Sequence, residues 1–492
     1  MPRDGRSDRF PEPGALRRPP EKVPDMSRFL HQTLIFLLTA ALIIQWPLAA
    51  MAEPLTPKKE KELGQRFHLK IAATGALLDD PIANKYYRSI TDRIMKGAGL
   101  SADKYNFYIV NSDGINAFAV PGGYIYMHTE TINSLENEGQ LASILGHEVA
   151  HITSRHFARR VEASSSLSLA YIAAMLAGIA LASQGGGNAG ALAPAVMMGG
   201  GGAVVSAMLA NSREDEAEAD SKGRQYLTKA GYNPRDMYGA FKIMNDKTYQ
   251  LSGKVPTYLT THPALSSRLA TTFKDYQDAA PPARDDRYQG FRDRVLALSG
   301  ESRRVQTVMT KRLSANKNDH SAIHALGLLA AREQNLANAN KLMTQALTLS
   351  PGNREYLADL GDLALRRRKP DEAKSYYEKA GQENRQAVLG LARASELLGD
   401  KTRAATLYDK AVNMDANPYP EALELAGRFF GQNGQMGKGH YYLARYFNNT
   451  GNLDKAIFHY NETAKQPDAG NYKKIAIRES ALLTELKKED KK

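Results

Sequence analysis

The sequence predicts an α+β chain that is mainly α-helical, with a small β-sheet in its first folded part and a helical repeat solenoid in its second. Three observations carry this reading. Between residues 105 and 128, three short runs rich in Tyr, Phe, Ile and Val are separated by Asn-Ser-Asp-Gly and Pro-Gly-Gly breaks, the pattern of strands joined by turns. Directly after them, residues 140–151 carry apolar side chains at helical spacing with no Pro, and helical periodicity dominates the rest of the chain. In the second half, small residues recur at an offset of 34: Ala339 with Ala346 returns as Ala373 with Ala380, and the same pairing is met again as Ala404 with Ala411. The expected division is an N-terminal extension and signal peptide over 1–52, a first domain over 53–280, a linker over 281–302 and the repeat domain over 303–492.

A chain of 492 residues has room for two or three domains with real cores. It contains no cysteine, which excludes thiol catalysis, cysteine-ligated metal and disulfides. The formal net charge of +12 is spread along the chain without a dense basic stripe, so nucleic acid is not an expected partner.

Residues 1–25 are rich in Pro, Arg and Asp and lack apolar periodicity, which makes Met26 the better start. Arg28, the apolar run 34–44 and the ending Ala50-Met51-Ala52 together read as a secretory signal, with cleavage expected between Ala52 and Glu53. The apolar run falls short of the ~20 residues of a comfortable membrane span. Export to the periplasm is the expected outcome. From residue 57 to about 100 the pattern is helical, with Leu63, Phe67, Ile71 and Ala72 on one face. Strands are expected at 105–110, 117–120 and 124–128, and an edge strand there could pair with an extended peptide backbone.

The helix that follows carries His147-Glu148-Val149-Ala150-His151. Residues four apart lie one above the other, so both imidazoles share a face and can hold one Zn²⁺ at ~2.0–2.1 Å. Glu148 is then placed as the general base beside the metal. Residues 167–209 change character abruptly: an apolar stretch is followed by Gly185-Gly186-Gly187 and by four glycines at 199–202. They are too short and too broken to span a membrane convincingly, and read as buried helices or a lid, with peripheral membrane contact as the other reading. The acidic run 214–220 follows at once. Glu216 and Asp220 are four apart, so Glu216 can be the third ligand while Asp220 accepts the spare imidazole N–H of a liganding histidine.

A metzincin would need Gly at 154 and His at 157, where this chain has Ser154 and Phe157. His156 is nine residues past His147, which on one continuous helix places it about 180° away and gives it a structural role. His147-Glu148-x-x-His151 with Glu216-x-x-x-Asp220, preceded by Asn116-Ala117-Phe118-Ala119-Val120-Pro121-Gly122-Gly123, resembles the peptidase family of the CAAX prenyl proteases, HtpX and Oma. The resemblance implies a gluzincin-like metalloprotease fold with one zinc per chain on His147, His151 and Glu216, and Glu148 as base. The export signal and the C-terminal half narrow the likeness to the periplasmic branch, which implies outer-membrane β-barrel proteins and their insertion machinery as clients or partners.

Thr261-His262-Pro263 supplies one more histidine, either a surface residue or one that reaches the metal or the oxyanion; Arg268 is a weaker candidate for the same neighbourhood. Residues 276–300 are charged and Pro-containing, as a linker would be. Beyond them, the 34-residue period is that of tetratricopeptide repeats, which build concave protein-binding surfaces. Three repeats are expected, with a fourth or fifth ending near Asp454-Lys455-Ala456-Ile457. No Gly-rich phosphate loop with its Lys occurs, so the substrates of an exported zinc endopeptidase here would be already unfolded or misassembled proteins. The alternative is a periplasmic chaperone or scaffold for outer-membrane protein assembly, with a little-used zinc site.

Overall fold

The computed structural model describes residues 55–163, 212–250, 258, 262–278, 286–414 and 419–489. The signal-peptide reading of 1–52 and the lid, buried-helix or membrane readings of 167–209 lie outside the described residues. The described residues belong to one compact unit. Among the described residues, no helix is long and apolar enough to cross a membrane.

The helical stretch expected from 57 to 100 is two helices, α1 (Pro57–Ala73) and α2 (Pro81–Gly97). Each starts on a proline behind a capping side chain, Thr56 for α1 and Asp80 for α2, so the second Pro–cap pair restarts the helix instead of extending the first. The strands are β1 (Asn106–Val110), β2 (Ala117–Val120) and β3 (Tyr124–His128). β3 is central, paired parallel to β1 and antiparallel to β2. β2 and β3 form a hairpin through Gly122 and Gly123, whose φ of +79° and +86° fit glycine best. β2 is therefore left on the outer edge of the sheet.

Next come α3 (Thr129–Ser134), α4 (Glu138–Thr153), α5 (His156–Ala163), α6 (Arg213–Lys229), α7 (Arg235–Gln250) and α8 (Leu265–Asp278). α4 is buried on every face from Glu138 to His151, which makes it the central rod of this half. It crosses α6 at a glycine pair, Gly146 and Gly223. A Cβ on Gly223 would lie 2.9 Å from the backbone nitrogen of His147, so glycine there lets the two metal-motif helices approach backbone to backbone.

Residues 286–299, expected inside a linker, are instead helix α9 (Asp286–Ser299). Its charges mask an apolar face: Tyr288, Phe291 and Val295 pack into the core around α4, while Leu296 and Ala297 pack into the repeat core. After α10 (Ser302–Ala315) come five helix pairs. They are α11 (His320–Arg332) with α12 (Leu336–Leu349), α13 (Arg354–Arg366) with α14 (Pro370–Ala380), α15 (Arg385–Leu397) with α16 (Lys401–Asn413), α17 (Pro420–Gln432) with α18 (Met436–Asn449), and α19 (Leu453–Lys465) with α20 (Tyr472–Glu489). The periodic alanines 339, 346, 373, 380, 404 and 411 are all buried. The solenoid also touches the first helix. Gly451, ahead of α19, lies so close to the backbone of Leu69 and Ala73 in α1 that a side chain there would collide.

Candidate metal centre

α4 carries His147 and His151 one turn apart, and their Nε2 atoms lie 3.0 Å from each other. α6 brings Glu216 against them, with Oε1 3.4 Å from His151 Nε2 and Oε2 3.5 Å from His147 Nε2. His262 completes the group: its Nδ1 lies 3.0 Å from Glu216 Oε1 and 3.3 Å from His147 Nε2. All four side chains are buried. An ion held tetrahedrally at ~2.0–2.1 Å places its donor atoms ~3.3 Å apart, which is the spacing seen here. Three imidazoles and a carboxylate facing one another make a donor set that fits a borderline divalent ion.

Glu148, also buried, has both carboxylate oxygens without a hydrogen-bond partner, and Oε1 lies 3.5 Å from His262 Nε2. Burial pushes its carboxyl up, against the pull of the neighbouring histidines. Behind the cluster, Asp220 Oδ1 lies 2.9 Å from His147 Nδ1. Burial opposes charge on Asp220, yet the guanidinium of Arg268 and the contact with His147 hold its carboxyl below the usual range. Arg268 Nη1 also reaches Glu216 Oε2 at 2.5 Å, and the guanidinium sits over the ring of Phe241 at 4.3 Å.

His156 is not on the far side of a continuous helix. α4 stops at Thr153, Arg155 adopts a φ of +51°, and α5 starts afresh, so His156 folds back with Nδ1 2.7 Å from His151 Nδ1. No strong sequence signal marks that turn, since arginine rarely takes a positive φ. Asn116 was legible only as part of a motif. It is buried at the head of β2 with both amide atoms unpartnered, and it lines a cavity of about 80 Å³ together with Glu148, His151, Phe118, Phe157 and His262.

Residues 81–273 match the model of Peptidase family M48, and residues 324–381 and 358–420 each match a tetratricopeptide repeat model. The chain is similar to the beta-barrel assembly-enhancing protease of Escherichia coli (strain K12), 27% identical over 411 residues that cover 78% of this chain and 82% of that protein. The protein of the same name from Yersinia pestis is 28% identical over 363 residues, 72% of this chain and 73% of its own. The mitochondrial metalloendopeptidase OMA1 of Schizosaccharomyces pombe is 26% identical over 185 residues, 37% of this chain and 50% of that protein.

Proposed function

We propose, for a metalloendopeptidase whose residues 81–273 are a Peptidase family M48 domain followed by tetratricopeptide repeats, that it is an exported, zinc-dependent and ATP-independent protease of outer-membrane protein quality control. Its clients on this reading are misfolded or misassembled envelope proteins, above all outer-membrane β-barrels, and the repeats recruit those clients or the assembly machinery. The beta-barrel assembly-enhancing proteases named above support that assignment. The signal reading of 1–52, with cleavage between Ala52 and Glu53, supports a periplasmic site of action.

The observation that carries the reading is the convergence of His147, His151 and Glu216 beside an unpartnered, buried Glu148 at the edge of the cavity. One zinc bound by those three side chains would polarise the scissile carbonyl and acidify a coordinated water. Everything else falls to the chain. Glu148 takes a proton from the attacking water and returns it to the leaving amine, and its burial holds its affinity for that proton high. Asp220 holds His147 through Nδ1, so that Nε2 stays free to face the ion. β2 offers an outer edge on which an extended client backbone can pair, with the free amide of Asn116 at its head.

His262 favours restraint. With Nδ1 among the three ligands, it is placed to act as a fourth and close the position that water needs. That placement also favours the second reading, a chaperone or scaffold whose zinc site is little used. Metal analysis together with cleavage of an unfolded β-barrel protein by wild type and Glu148→Gln separates the two. The protease reading expects one zinc in both proteins and a loss of cleavage of ~10²–10⁴-fold in the variant. Equal cleavage, or none in wild type under any condition that releases His262, would remove it.

A further inference from the structure

His151 has two ring nitrogens with different surroundings. Nε2 faces His147 and Glu216, and Nδ1 faces His156 at 2.7 Å. A nitrogen that gives its lone pair to a metal leaves the proton on the other one, so His151 must donate from Nδ1. The acceptor 2.7 Å away is Nδ1 of His156, which must therefore be bare, and the proton of His156 must sit on Nε2. Nε2 has its own acceptor, Glu218 Oε2 at 3.1 Å. Glu218 is in turn fixed by Ser154 Oγ at 2.8 Å, Lys222 Nζ at 2.7 Å and Arg159 Nη2 at 3.0 Å. Each proton along this line is assigned by the one before it.

We propose that His156 is a positioning residue of the metal centre: with Glu218 it forms a relay that locks His151 in the Nδ1-protonated tautomer and sets the ring angle at which Nε2 meets the metal. The inference rests on the reading of His147, His151 and Glu216 as ligands. His147 is held by a carboxylate, Asp220, whereas His151 is held by a neutral imidazole with a carboxylate one step further out. The two ligand histidines are thus braced by different chemistry. A second ion on His156, Asp215 and Glu218 is the competing use of the same residues. The cations for those carboxylates are already present, however: Arg159 lies 2.9 Å from Asp215 and 3.0 Å from Glu218, and Lys222 lies 2.7 Å from Glu218. His156 is itself buried, so the relay is shielded from water at the link that matters.

The test measures zinc binding by the full chain in competition with a chromophoric chelator, in wild type, His156→Leu and His156→Asn. Leucine removes the acceptor; the asparagine oxygen stands near the place of Nδ1 and restores it. The relay expects His156→Leu to lose roughly 10–100-fold in zinc affinity, with His156→Asn recovering most of that loss and the metal-free unfolding midpoints of the two variants matching. Leucine binding zinc as wild type does, or asparagine binding as weakly as leucine, overturns it. Two zinc ions per wild-type chain, one of them lost with His156, also overturns it, because His156 would then be a ligand itself. If His147→Ala and His151→Ala keep their zinc, the metal-centre reading has failed instead, and the two failures are told apart.

Discussion

Arg268 grips Asp220 with two parallel hydrogen bonds, Nε to Oδ2 at 2.8 Å and Nη2 to Oδ1 at 2.7 Å, while its third nitrogen, Nη1, reaches Glu216. One guanidinium thereby balances two buried carboxylates on successive turns of α6. Removing one partner of a buried ion pair costs roughly 3–5 kcal/mol, because the charge left behind has lost its solvent as well as its mate. Arg268→Ala is expected to destabilise the metal-free protein by that amount in urea unfolding. Arg268→Lys keeps the charge but cannot span both carboxylates, so it should recover less than half of the loss. A lysine variant as stable as wild type would show that charge alone suffices.

His262 is packed as a plug would be. Its ring stacks on Tyr258 with centroids 4.5 Å apart, and its backbone N–H donates to Tyr258 O at 2.7 Å. If the plugged form holds nine-tenths of the molecules, freeing the site raises turnover about tenfold. His262→Ala is therefore expected to increase hydrolysis of a short unstructured peptide, read as kcat/KM. A fall of ~10²-fold would assign His262 to the oxyanion instead.

The parts of this molecule that announce themselves in sequence are those with a period. The three strands alternate or run apolar between turn residues, and the repeat alanines return after 34 and then 31 positions, so each element is visible from a dozen residues. His147 and His151 are legible for the same reason: helical spacing puts both imidazoles on one face before any tertiary contact is known, and the same spacing pairs Glu216 with Asp220. What stayed hidden depends on a single backbone event or on distant partners. The positive φ at Arg155 turns His156 towards His151, and nothing in Ser154-Arg155 signals it. α9 was masked by its Arg and Asp residues. One of them, Arg294, is buried only because Asp80 and Asp359 come from far away in the chain to meet it. Arg268 is the same case, isolated in sequence and central in space.

Asp362 is expected to give the repeat domain a pH dependence. Its carboxyl accepts from Tyr377 and from Gln386, and burial, followed by the nearby carboxylates of Asp359 and Glu421, pushes it up to about 7. The folded state then holds the proton more tightly than the unfolded chain, whose aspartates titrate near 3.9. The stability this group contributes is fully present below about pH 4 and is lost as pH rises through about 7, with a slope of at most ~1.4 kcal/mol per pH unit. Asp362→Asn cannot titrate and should flatten that part of the profile. Urea midpoints across pH 4–8 with the same slope in both proteins would show that the group is not responsible.

The last expectation concerns cutting the chain between its two halves. If chemistry and recognition were separable modules, removing residues 303–492 would leave the rest undisturbed. The structure argues otherwise at Arg294. Its Nε and Nη2 pair with Asp80 at 2.7 and 2.8 Å, ahead of α2, and its Nη1 pairs with Asp359 at 2.6 Å, on α13. Truncation removes Asp359 and uncovers Leu296 and Ala297 as well. Arg294 keeps Asp80 and gains solvent, so the main cost is the lost burial of Leu296 and Ala297, about 2 kcal/mol. For a fragment of about 250 residues, that lowers the thermal midpoint by roughly 4 °C or more. Hydrolysis of an unstructured peptide should survive below that midpoint, because every residue lining the cavity beside Glu148 precedes residue 263. Turnover of an unfolded β-barrel protein should fall, because its recruiting surface has gone. A fragment that keeps the full midpoint would show that the halves are independent after all, and one that folds yet cuts neither substrate would place the repeats inside the catalytic unit.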